Sequence, residues 1–502
     1  MTILELLDSL PLCDIVTQSP DFDTSMPCHM PCRDARRVTA DDVFFAVRGT
    51  HFDGHNAIPE AAARGAALVV LDDIRYADTC PTPWICVRDA AQAFLPACLS
   101  CAHHPERGMS LYAVTGTNGK TSITYLLEAI FSQNPAYAPC AVIGTVENRI
   151  AGEILPASRT TPPPEELCAL LCRARDAGVK TVILEASSHA LAQGRLSGLH
   201  FSAGIFTNLT EDHLDYHKSM EAYFHCKRSL FFSCDTAVLN IDDPYGRRLY
   251  ADDAIPAKKI GYSLSDCGAD WFAKATQNKD GCHLLLLSKE NTPLSLYSSL
   301  RGSFAAPNIT ASCACAYDAG ISPTQMQAGL CSLDNIPGRM ECIVSSPYAV
   351  FLDYAHTPDA LSRAILSVRE HCRSAAVEQN VPAPRTLVLF GCGGDREHEK
   401  RPKMGKIAAS LADITVITSD NSRSEDPIDI INAILAGIPD RKNVIVIPDR
   451  RRAIEEILDM AQPGDCILLA GKGHENYQID KTGTHPFSER EIVLSHIQKQ
   501  TH

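Results

Sequence analysis

Short apolar runs alternate with amphipathic segments along most of this chain. Runs rich in Val, Ile and Leu, bounded by polar or turn-forming residues, predict strands at 43–47, 67–71, 84–87, 111–116, 141–146, 179–186, 350–354, 386–391, 414–420, 444–447 and 466–471. Helical spacing follows several of these runs, as at 58–66, 121–131 and 165–177. Strands that alternate with helices predict mostly parallel sheets covered on both faces. The polar, less regular stretch 250–300 predicts antiparallel strands instead.

The same patterns predict an α/β fold built from several units. A length of 502 residues corresponds to about three domains at roughly 150 residues each. The polar, turn-rich segment 103–110 marks the first boundary. We predict a small N-terminal α/β domain at 1–107, a central parallel-sheet domain at 108–337 and a Rossmann-like α/β domain at 338–502.

Charge and composition exclude several classes of protein. Lys and Arg total 46 against 60 Asp and Glu, a net charge of −14, which argues against a general nucleic-acid binder. No run approaches 18 apolar residues, and no basic segment precedes the first apolar stretch, so neither a membrane span nor a secretory signal is predicted. We expect a monomeric cytoplasmic protein that binds neither nucleic acid nor membrane.

The 21 cysteines are scattered through apolar segments, and without an export signal we expect reduced thiols. Cys98, Cys101, His103 and His104 resemble a zinc-ligand set in composition. Zinc usually needs two pairs held apart by a loop, whereas these four residues lie on one predicted helix. Core packing is therefore the favoured interpretation.

The segment 115–122, TGTNGKTS, lies between a predicted strand and a predicted helix. Glycines let backbone N–H groups approach phosphate oxygens, and a helix N-terminus adds a favourable dipole. Lys120 would reach the β- and γ-phosphates, and the hydroxyl of Thr121 would bind Mg²⁺. The general P-loop pattern has Gly at the position of Val114, so a Gly-rich turn that caps a helix is the alternative. The favoured interpretation makes the central domain a P-loop-type ATPase domain.

Acidic and imidazole groups follow two further strands. Glu185 ends the strand at 179–186, where ligands bind in open α/β sheets. The loop after the next apolar run supplies Glu211, Asp212, His213, Asp215 and His217. Carboxylates and imidazoles at strand ends suit a divalent cation held against phosphates. A solvated polar loop is the alternative.

Three polar loops follow three predicted strands in the last third of the chain. They carry Asp395, Arg396, Lys400 and Arg401, then Asp420, Asn421 and Arg423, then Gly471, Lys472, His474 and Glu475. Because the carboxyl ends of parallel strands meet at one edge of a sheet, we expect these loops to form one site. Arginine suits a carboxylate through its paired N–H donors. The residues alone predict an ATP- and Mg²⁺-dependent enzyme, kinase-like or ligase-like, with a carboxylate-bearing substrate.

Together these motifs resemble the Mur ligase family. They are DARRVTADDVFFAVRGTHFDGH, TGTNGKTS, TTPPPEE, EASSHALAQGR, TNLTEDHLDYH, GRME, DYAHTPDAL, FGCGGDREHEKRPKMG, SDNSRSEDP and AGKGHENYQ, and they span nearly the whole chain. The resemblance implies an acid–amino-acid ligase of peptidoglycan synthesis. In that reaction ATP phosphorylates the free carboxylate of UDP-N-acetylmuramoyl-L-alanyl-D-glutamate, and the amine of meso-2,6-diaminopimelate attacks the acyl phosphate.

The resemblance also implies roles for individual residues. The implied ATP contacts are Gly116, Thr117, Asn118, Gly119, Lys120, Thr121, Ser122, Asn308, Arg339, Asp353 and His356. The implied contacts to the UDP-muramoyl-dipeptide are His51, Phe52, Thr160, Thr161, Ser187, Gln193 and Arg195. The implied Mg²⁺ ligands are Thr121, Glu185, His213 and a CO₂-derived carbamate on Lys227. Lys120, Lys227, Glu185 and His213 are implied to be catalytic.

The last loops decide which amino acid is added. By resemblance, the diaminopimelate contacts are Arg396, Asp420, Asn421, Ser422, Arg423, Gly471 and Glu475. Family members that use diaminopimelate carry Asp-Asn-Pro-Arg, and this chain keeps the Arg at 423 but has Ser422 in place of Pro. Serine frees φ and restores an N–H, so we expect a less preorganised loop with unchanged specificity.

Two further departures and several alternatives stay open. Ala35 replaces the family's Ser and cannot bond uridine through a hydroxyl, and Ala305 stands where the family pattern has Asn. The same ligation with L-lysine or L-ornithine is one alternative, and folylpolyglutamate synthetase is a remote one. A catalytically idle nucleotide-binding protein would be expected to lack one or more of Lys120, Glu185, His213 and Lys227, all of which are present.

Overall fold

The computed structural model describes residues 2–8, 15–19, 23–49, 52–278, 280–288, 293–379 and 384–500. Its strands form three large sheets and one hairpin, which succeed one another along the chain. The α/β fold with parallel-rich sheets expected from the sequence is confirmed.

The first sheet has five strands in the order β1-β5-β4-β3-β2. They are β1 (Ile15–Gln18), β2 (Pro31–Cys32), β3 (Val43–Phe45), β4 (Leu68–Leu71) and β5 (Trp84–Val87). The helices of this region are α1 (Ile3–Asp8), α2 (Ile58–Ala63) and α3 (Ala90–Cys101). All neighbouring strands are parallel except β1 and β5. Asp89 begins α3, because its carboxylate accepts the backbone N–H groups of Ala91 and Gln92.

The second sheet has eleven strands in the order β16-β15-β14-β13-β12-β11-β6-β10-β7-β8-β9. They are β6 (Ser110–Thr115), β7 (Cys140–Ile143), β8 (Glu147–Ile150), β9 (Glu153–Pro156), β10 (Thr181–Glu185), β11 (Phe201–Phe206), β12 (Cys234–Asn240), β13 (Lys258–Ser263), β14 (Trp271–Gln277), β15 (Cys282–Ser288) and β16 (Leu294–Ser298). The helices are α4 (Lys120–Phe131), α5 (Pro164–Asp176), α6 (Ser188–Ala192), α7 (Leu214–His217), α8 (Met220–Arg228), α9 (Pro244–Tyr250), α10 (Ala305–Asp318) and α11 (Pro323–Cys331).

Strand β6 lies between β10 and β11, and all three run parallel. The chain leaves β6 through α4 toward β7 on one side and later returns to β11 on the other. The loops after β6, β10 and β11 therefore surround a point where the strand order reverses. Such a switch point is where ligands bind in open α/β sheets.

The third sheet has six strands in the order β17-β18-β22-β19-β20-β21. They are β17 (Glu341–Val344), β18 (Ala349–Asp353), β19 (Thr386–Phe390), β20 (Ile414–Ile417), β21 (Val444–Val446) and β22 (Cys466–Ala470), and a hairpin follows with β23 (Tyr477–Asp480) and β24 (Gly483–Pro486). The helices are α12 (Pro358–Gln379), α13 (Lys400–Leu411), α14 (Pro427–Leu435), α15 (Arg450–Asp459) and α16 (Glu489–Gln500). Only β17 pairs antiparallel within the six-stranded sheet.

Helices cover both faces of this third sheet. One core layer contains α12, α13 and α14 and includes Leu361, Met404 and Ile434. The other contains α15 and α16 and includes Ile454 and Val493. Strands that are buried on both faces read as continuous apolar runs, which is why their positions could be predicted.

The prediction for residues 250–300 needs a correction. β13 pairs parallel with β12 and β14, and only the pairs β14–β15 and β15–β16 are antiparallel. Helix α9 lies between β12 and β13 in sequence and forms the crossover that lets the chain re-enter the sheet in the same direction.

The expectation of reduced thiols throughout is also corrected. A disulfide joins Cys372 of α12 to Cys466 at the start of β22, because the helix packs directly on that strand. The other cysteines in the described ranges are free, and many of them are buried. Cys98 packs in the core between α3 and α5, as expected from its apolar surroundings.

None of the helices in the described ranges is both long enough and apolar enough to cross a membrane.

Candidate active site

A cavity of about 240 Å³ lies between the second and third sheets. It gathers many of the residues singled out in the sequence: Thr117, Asn118, Gly119, Lys120, Thr121, Ser122, Thr160, Glu185, His213, Asn308, Arg339, Asp353 and His356. Asp212 and Ala305 also line it. The loops at the switch point around β6 thus face residues that lie just before β17, at the end of β18 or just after β18.

The loop between β6 and α4 forms one wall of the cavity. Gly119 begins α4 with φ at +91°, and a Cβ there would lie 2.7 Å from Oδ1 of Asn308. Only glycine fits this position. The hydroxyl of Thr207 donates to the carbonyl of Asn118 at 2.6 Å, and Oδ1 of Asn208 accepts from the backbone N–H of Asn118 at 3.0 Å. The segment after β11 therefore fixes the loop from behind.

Two lysines meet at one carbonyl of this loop. Nζ of Lys120 donates to the carbonyls of Gly116 and Thr117 at 2.9 and 3.0 Å. Nζ of Lys227, on α8, donates to the same carbonyl of Gly116 at 2.9 Å. Burial holds the pKa of Lys227 well below that of an ordinary lysine, and the charge of Lys120 lowers it further. A neutral amine is therefore favoured at Lys227.

Glu185 is buried at the end of β10 and is held by several donors. Its Oε1 accepts from the hydroxyl of Thr121 at 3.0 Å and from the backbone N–H of Thr145 at 2.9 Å. Its Oε2 accepts from the hydroxyl of Thr145 at 2.8 Å. Carboxylate and hydroxyl oxygens are the ligands that Mg²⁺ prefers, so this donor set fits the ion beside the phosphate loop.

The loop after β11 supplies an imidazole and carboxylates. His213 lines the cavity beside Asp212, whose Oδ2 lies 3.4 Å from Nε2 of His213. Burial lowers the pKa of His213 to about 4, so the neutral ring, which is the form that binds metal ions, is favoured. Glu211 points elsewhere, because its carboxylate pairs with Lys403 of α13 at 3.0 Å. His217 stacks on Tyr223 of α8 instead of lining the cavity.

The opposite wall comes from the third sheet and its approach. Nη2 of Arg339 donates to the hydroxyl of Thr121 at 3.1 Å, so it joins the two walls directly. Asp353, at the end of β18, accepts the backbone N–H groups of Met340 and Ala355 at 2.7 and 2.8 Å. Burial raises the pKa of Asp353. Nδ1 of His356 lies 2.8 Å from a backbone carbonyl, which orients its ring.

The residues implied to hold the muramoyl-peptide substrate form one chain of contacts next to Glu185. The hydroxyl of Thr161 donates to the carbonyl of Glu185 at 2.6 Å and contacts the hydroxyl of Ser187 at 3.1 Å. Arg195 donates to the carbonyl of Thr161 at 2.8 Å and to Oε1 of Gln193 at 2.6 and 3.1 Å. Oγ1 atoms of Thr160 and Thr145 lie 3.1 Å apart.

The predicted N-terminal contacts are only partly described. Phe52 is 61% exposed. His51 lies outside the described residues. Ala35 is buried in a short helical turn that begins at Asp34, and the carboxylate of Asp34 pairs with Arg36. Neither Phe52 nor Ala35 lines the cavity.

The loops after β19, β20 and β22 meet at the edge of the third sheet. Nδ2 of Asn421 donates to Oε2 of Glu475 at 2.8 Å. Arg423 has φ at +52°, and its Nη1 donates to the carbonyl of Gly394 at 2.7 Å. Burial lowers the pKa of Arg423, and the charge of Arg396 lowers it further. A Cβ at Gly393 would lie 2.9 Å from Nη1 of Arg423 and 3.7 Å from Cγ of Arg396, so both arginine side chains pass beside the loop after β19.

The remaining members of this set are also placed there. Ser422 is buried, and Gly471 packs against the carboxylate of Asp420. Arg401, on α13, pairs with Glu425 at 2.8 Å and so ties the first loop to the second. Arg423 also donates to the carbonyl of Gly394 in the first loop, so both arginines connect the two loops.

Sequence reasoning missed several residues of this site. Thr145 bonds both oxygens of Glu185, and Thr207 and Asn208 support the phosphate loop. Tyr354 lines the cavity, and the guanidinium of Arg339 lies 4.8 Å from its ring centroid. Thr207, Asn208 and Tyr354 lie within quoted motifs, whereas Thr145 lies only at the end of the predicted strand 141–146. Hydroxyl and aromatic groups alone indicate no chemistry.

Models of known protein families match three segments of the chain. Residues 28–93 match "Mur ligase family, catalytic domain", residues 114–316 match "Mur ligase middle domain", and residues 338–473 match "Mur ligase, glutamate ligase domain". The UDP-N-acetylmuramoyl-L-alanyl-D-glutamate–2,6-diaminopimelate ligase of Geobacter metallireducens is 39% identical over 488 residues, which cover 92% of each chain.

Solved structures show the same relationship. A structure of a UDP-N-acetylmuramoyl-L-alanyl-D-glutamate–2,6-diaminopimelate ligase superposes with a TM-score of 0.69 at 30% identity, and covers 100% of this chain and 99% of the other. A Mycobacterium tuberculosis folylpolyglutamate synthase, complexed with ADP and AMPPCP, shares the fold at 17% identity and a TM-score of 0.62, over 76% of this chain and 92% of its own. On the family models and on identity over most of its length, this chain belongs to the Mur ligase family of ATP-dependent ligases.

Proposed function

We propose that the chain adds meso-2,6-diaminopimelate to UDP-N-acetylmuramoyl-L-alanyl-D-glutamate at the expense of ATP, a step in peptidoglycan synthesis. Relatives whose names state this reaction support the proposal. The observation that carries it is the pairing of two sites. One is the cavity beside the loop between β6 and α4, and the other is the group of loops where the side chains of Arg423 and Arg396 pass Gly393 and Asn421 bonds Glu475. A domain division at 107/108 and 337/338 is part of the same proposal.

The reaction begins with transfer of the γ-phosphoryl group to the free carboxylate of the muramoyl-dipeptide. The backbone N–H groups of the loop before α4 and the ammonium of Lys120 would hold the phosphates and spread their charge. Arg339, which reaches Thr121 from the opposite wall, would add a second cation. Thr160, Thr161, Ser187, Gln193 and Arg195 would hold the peptide so that its carboxylate faces the phosphate.

The second step forms the amide. The amine nitrogen of the diamino acid attacks the carbonyl carbon of the acyl phosphate, a C–N bond forms, and the C–O bond to phosphate breaks after a tetrahedral intermediate. Inorganic phosphate leaves with the bonding electron pair, and the nitrogen loses one proton, which balances as the proton of the released hydrogen phosphate. Asn421 and Glu475 would hold the ammonium at the other end of the diamino acid, and this anchoring would position the attacking amine.

Mg²⁺ is expected at the oxygens of Thr121 and Glu185 with the ring of His213, and it would neutralise phosphate charge when bound. A carbamate on Lys227 would add an anionic ligand. Support comes from the lowered pKa of Lys227, because only a neutral amine reacts with CO₂. We also propose that the protein is a monomer and that it acts in the cytoplasm.

Diaminopimelate differs from lysine by one extra carboxylate. The forked donors of Arg423 and Arg396 suit that group, whereas Glu475 and Asn421 suit the ammonium beside it. Lysine would leave the two guanidinium groups without an anion, so we expect it to be a poor substrate.

The test is ATP-dependent phosphate release with UDP-N-acetylmuramoyl-L-alanyl-D-glutamate and each of meso-diaminopimelate, L-lysine and L-ornithine. We expect strong preference for diaminopimelate, and loss of that preference in Arg423→Ala. Arg452→Ala, which removes an exposed arginine of α15, is the matched control and should keep it. Faster release with lysine or ornithine would overturn the substrate, and no release with any of the three would overturn the reaction.

A further inference from the structure

Five charged side chains form a network under the two loops that carry the proposed diaminopimelate contacts. This Arg450 network consists of Arg450, Glu489, Asp420, Lys472 and Glu475. All of them except Glu475 are buried. Removing so many charges from water is costly, and apolar side chains of similar volume often replace such networks without loss of stability. The arrangement therefore points to a role beyond stability.

Arg450, the first residue of α15, joins the starting points of the two loops. Its Nη1 donates to the carbonyl of Ser419 at 3.1 Å, just after β20. Its Nη2 donates to the carbonyl of Ala470 at 2.8 Å, the last residue of β22. Its Nε donates to Oε1 of Glu489, on α16, at 2.8 Å. One rigid guanidinium thus sets the distance between two loop origins that are not neighbours in the sheet.

Asp420 connects the same two loops from within. Its Oδ2 lies 3.8 Å from Nη1 of Arg450, and its Oδ1 lies 3.7 Å from Nζ of Lys472. Gly471 makes this approach possible: it has φ at +110°, and a Cβ there would lie 2.7 Å from Oδ2 of Asp420. The carboxylate therefore sits between two buried cations.

Lys472 extends the network to the proposed ligand contacts. Its Nζ donates to Oδ1 of Asn421 at 3.1 Å and to Oε2 of Glu475 at 3.1 Å. Oδ1 of Asn421 also accepts the backbone N–H of Ile479 at 2.9 Å. The amide of Asn421 is thereby fixed, with its NH₂ group directed at Glu475.

We propose that Arg450 is a positioning residue for the amino-acid substrate, because it fixes the spacing between loop 419–423 and loop 471–475. With that spacing held, Arg423 on one loop and Glu475 on the other meet the carboxylate and the ammonium at the far end of the same diamino acid. The inference rests on the proposed function. It adds that amino-acid selection depends on a side chain which does not touch the amino acid.

The test compares Arg450→Met with the double variant Arg450→Met/Glu489→Met, which removes the buried pair without leaving an unpaired charge. In Arg450→Met we expect the KM for diaminopimelate to rise on the order of 10- to 100-fold. The KM values for ATP and for the muramoyl-dipeptide should change less than about twofold. The double variant should recover thermal stability but keep the raised KM for diaminopimelate.

Arg385→Met is the matched control. Arg385 forms an ion pair with Asp465 and donates to the carbonyl of Met460, but it does so at the opposite ends of β19 and β22. This variant should lower the Tm and leave the KM for diaminopimelate unchanged.

The positioning role is overturned if Arg450→Met folds and keeps its KM for diaminopimelate, or if all three KM values rise together. It is also overturned if the double variant regains both the Tm and the KM. Should Arg450→Met not fold, the double variant decides, with Arg450→Lys as the charge-retaining comparison. If the wild-type protein uses lysine instead, the proposed substrate fails, and the KM for lysine then decides the role of Arg450.

Discussion

At the scale of single residues, the candidate site depends on groups that the motifs do not identify as chemical. Glu185 is a carboxylate at a strand end and so stands out in the sequence, whereas Thr145, which donates to both of its oxygens from the turn after β7, does not. A carboxylate with fixed donors keeps one orientation, which a cation site requires.

Thr145→Val removes one hydroxyl and keeps the side-chain shape. A hydrogen bond to a charged group contributes about 1.5–3 kcal/mol, so we expect kcat to fall about 10-fold or more. We also expect the Mg²⁺ concentration needed for half-maximal activity to rise. Titration of activity with Mg²⁺ measures both effects. Thr181→Val is the control, because the hydroxyl of Thr181, on the same strand as Glu185, has no hydrogen-bond partner among the described residues. Equal effects in the two variants would contradict the role of Thr145.

Lys227 gives the second prediction at this scale. Its folded-state pKa is lowered by burial, so its amine stays neutral at pH values where an exposed lysine is charged. We expect ¹³C-bicarbonate to label Lys227 as a carbamate near pH 7.5 and the signal to disappear on acidification. NMR of the labelled protein checks this, with Lys227→Gln as the control. A signal that persists in Lys227→Gln, or no signal in the wild type, would contradict the assignment.

At the scale of secondary-structure elements, the loop between β6 and α4, with the start of α4, forms the cavity wall that we propose binds phosphate. The apolar run of β6 and the amphipathic pattern of α4 are local, and so both were predictable. The shape of the loop is not local, since Asn308 of α10 and Thr207 after β11 press against it.

Gly119→Ala tests this loop. Alanine would have to adopt the positive φ of Gly119, and its Cβ would lie 2.7 Å from Oδ1 of Asn308. We therefore expect the Kd for ATP to rise at least about 10-fold. Isothermal titration with ATP and Mg²⁺ gives the measurement. Gly178→Ala is a close match, because Gly178 also has a positive φ, at +71°, but nothing lies within 4 Å of its Cβ position. Gly178→Ala should lose some stability and bind ATP normally. If ATP binding weakened in both variants, backbone strain alone would explain the loss, and the contact with Asn308 would not.

At the scale of the whole molecule, the contacts that join the regions of the second and third sheets differ in burial. Arg339 reaches Thr121 inside the cavity, whereas Lys403 pairs with Glu211 where both side chains are about half exposed. An exposed pair contributes little, while a cation at a forming phosphate charge contributes much.

We therefore expect Arg339→Met to lower kcat about 100-fold or more and Lys403→Ala to change it less than about twofold. Steady-state phosphate release measures both variants. A large loss in Lys403→Ala would show that the outer contact, and not the cavity cation, governs how the two regions work together.

The sequence alone determined much of this protein. Apolar runs of strand length fixed β6, β10, β19, β20 and β22, because strands buried on both faces need continuous apolar side chains. Glycine, lysine and hydroxyl groups at one strand end predicted a loop between β6 and α4, and the structure has that loop. Polar loops after parallel strands indicated a common edge, since that geometry holds for every parallel sheet. These features follow from spacing within a few residues.

Only the tertiary structure decided which distant groups meet. Arg450 joins Ser419 to Ala470, Thr145 orients Glu185, and Arg339 reaches Thr121 across 218 positions of sequence. The parallel pairing of β13 with β12 and the disulfide between Cys372 and Cys466 are also contacts between distant parts of the chain. Such contacts depend on strand order and on how the sheets face one another. The repeat of apolar side chains along a strand or helix is the same for many such arrangements and so cannot select one.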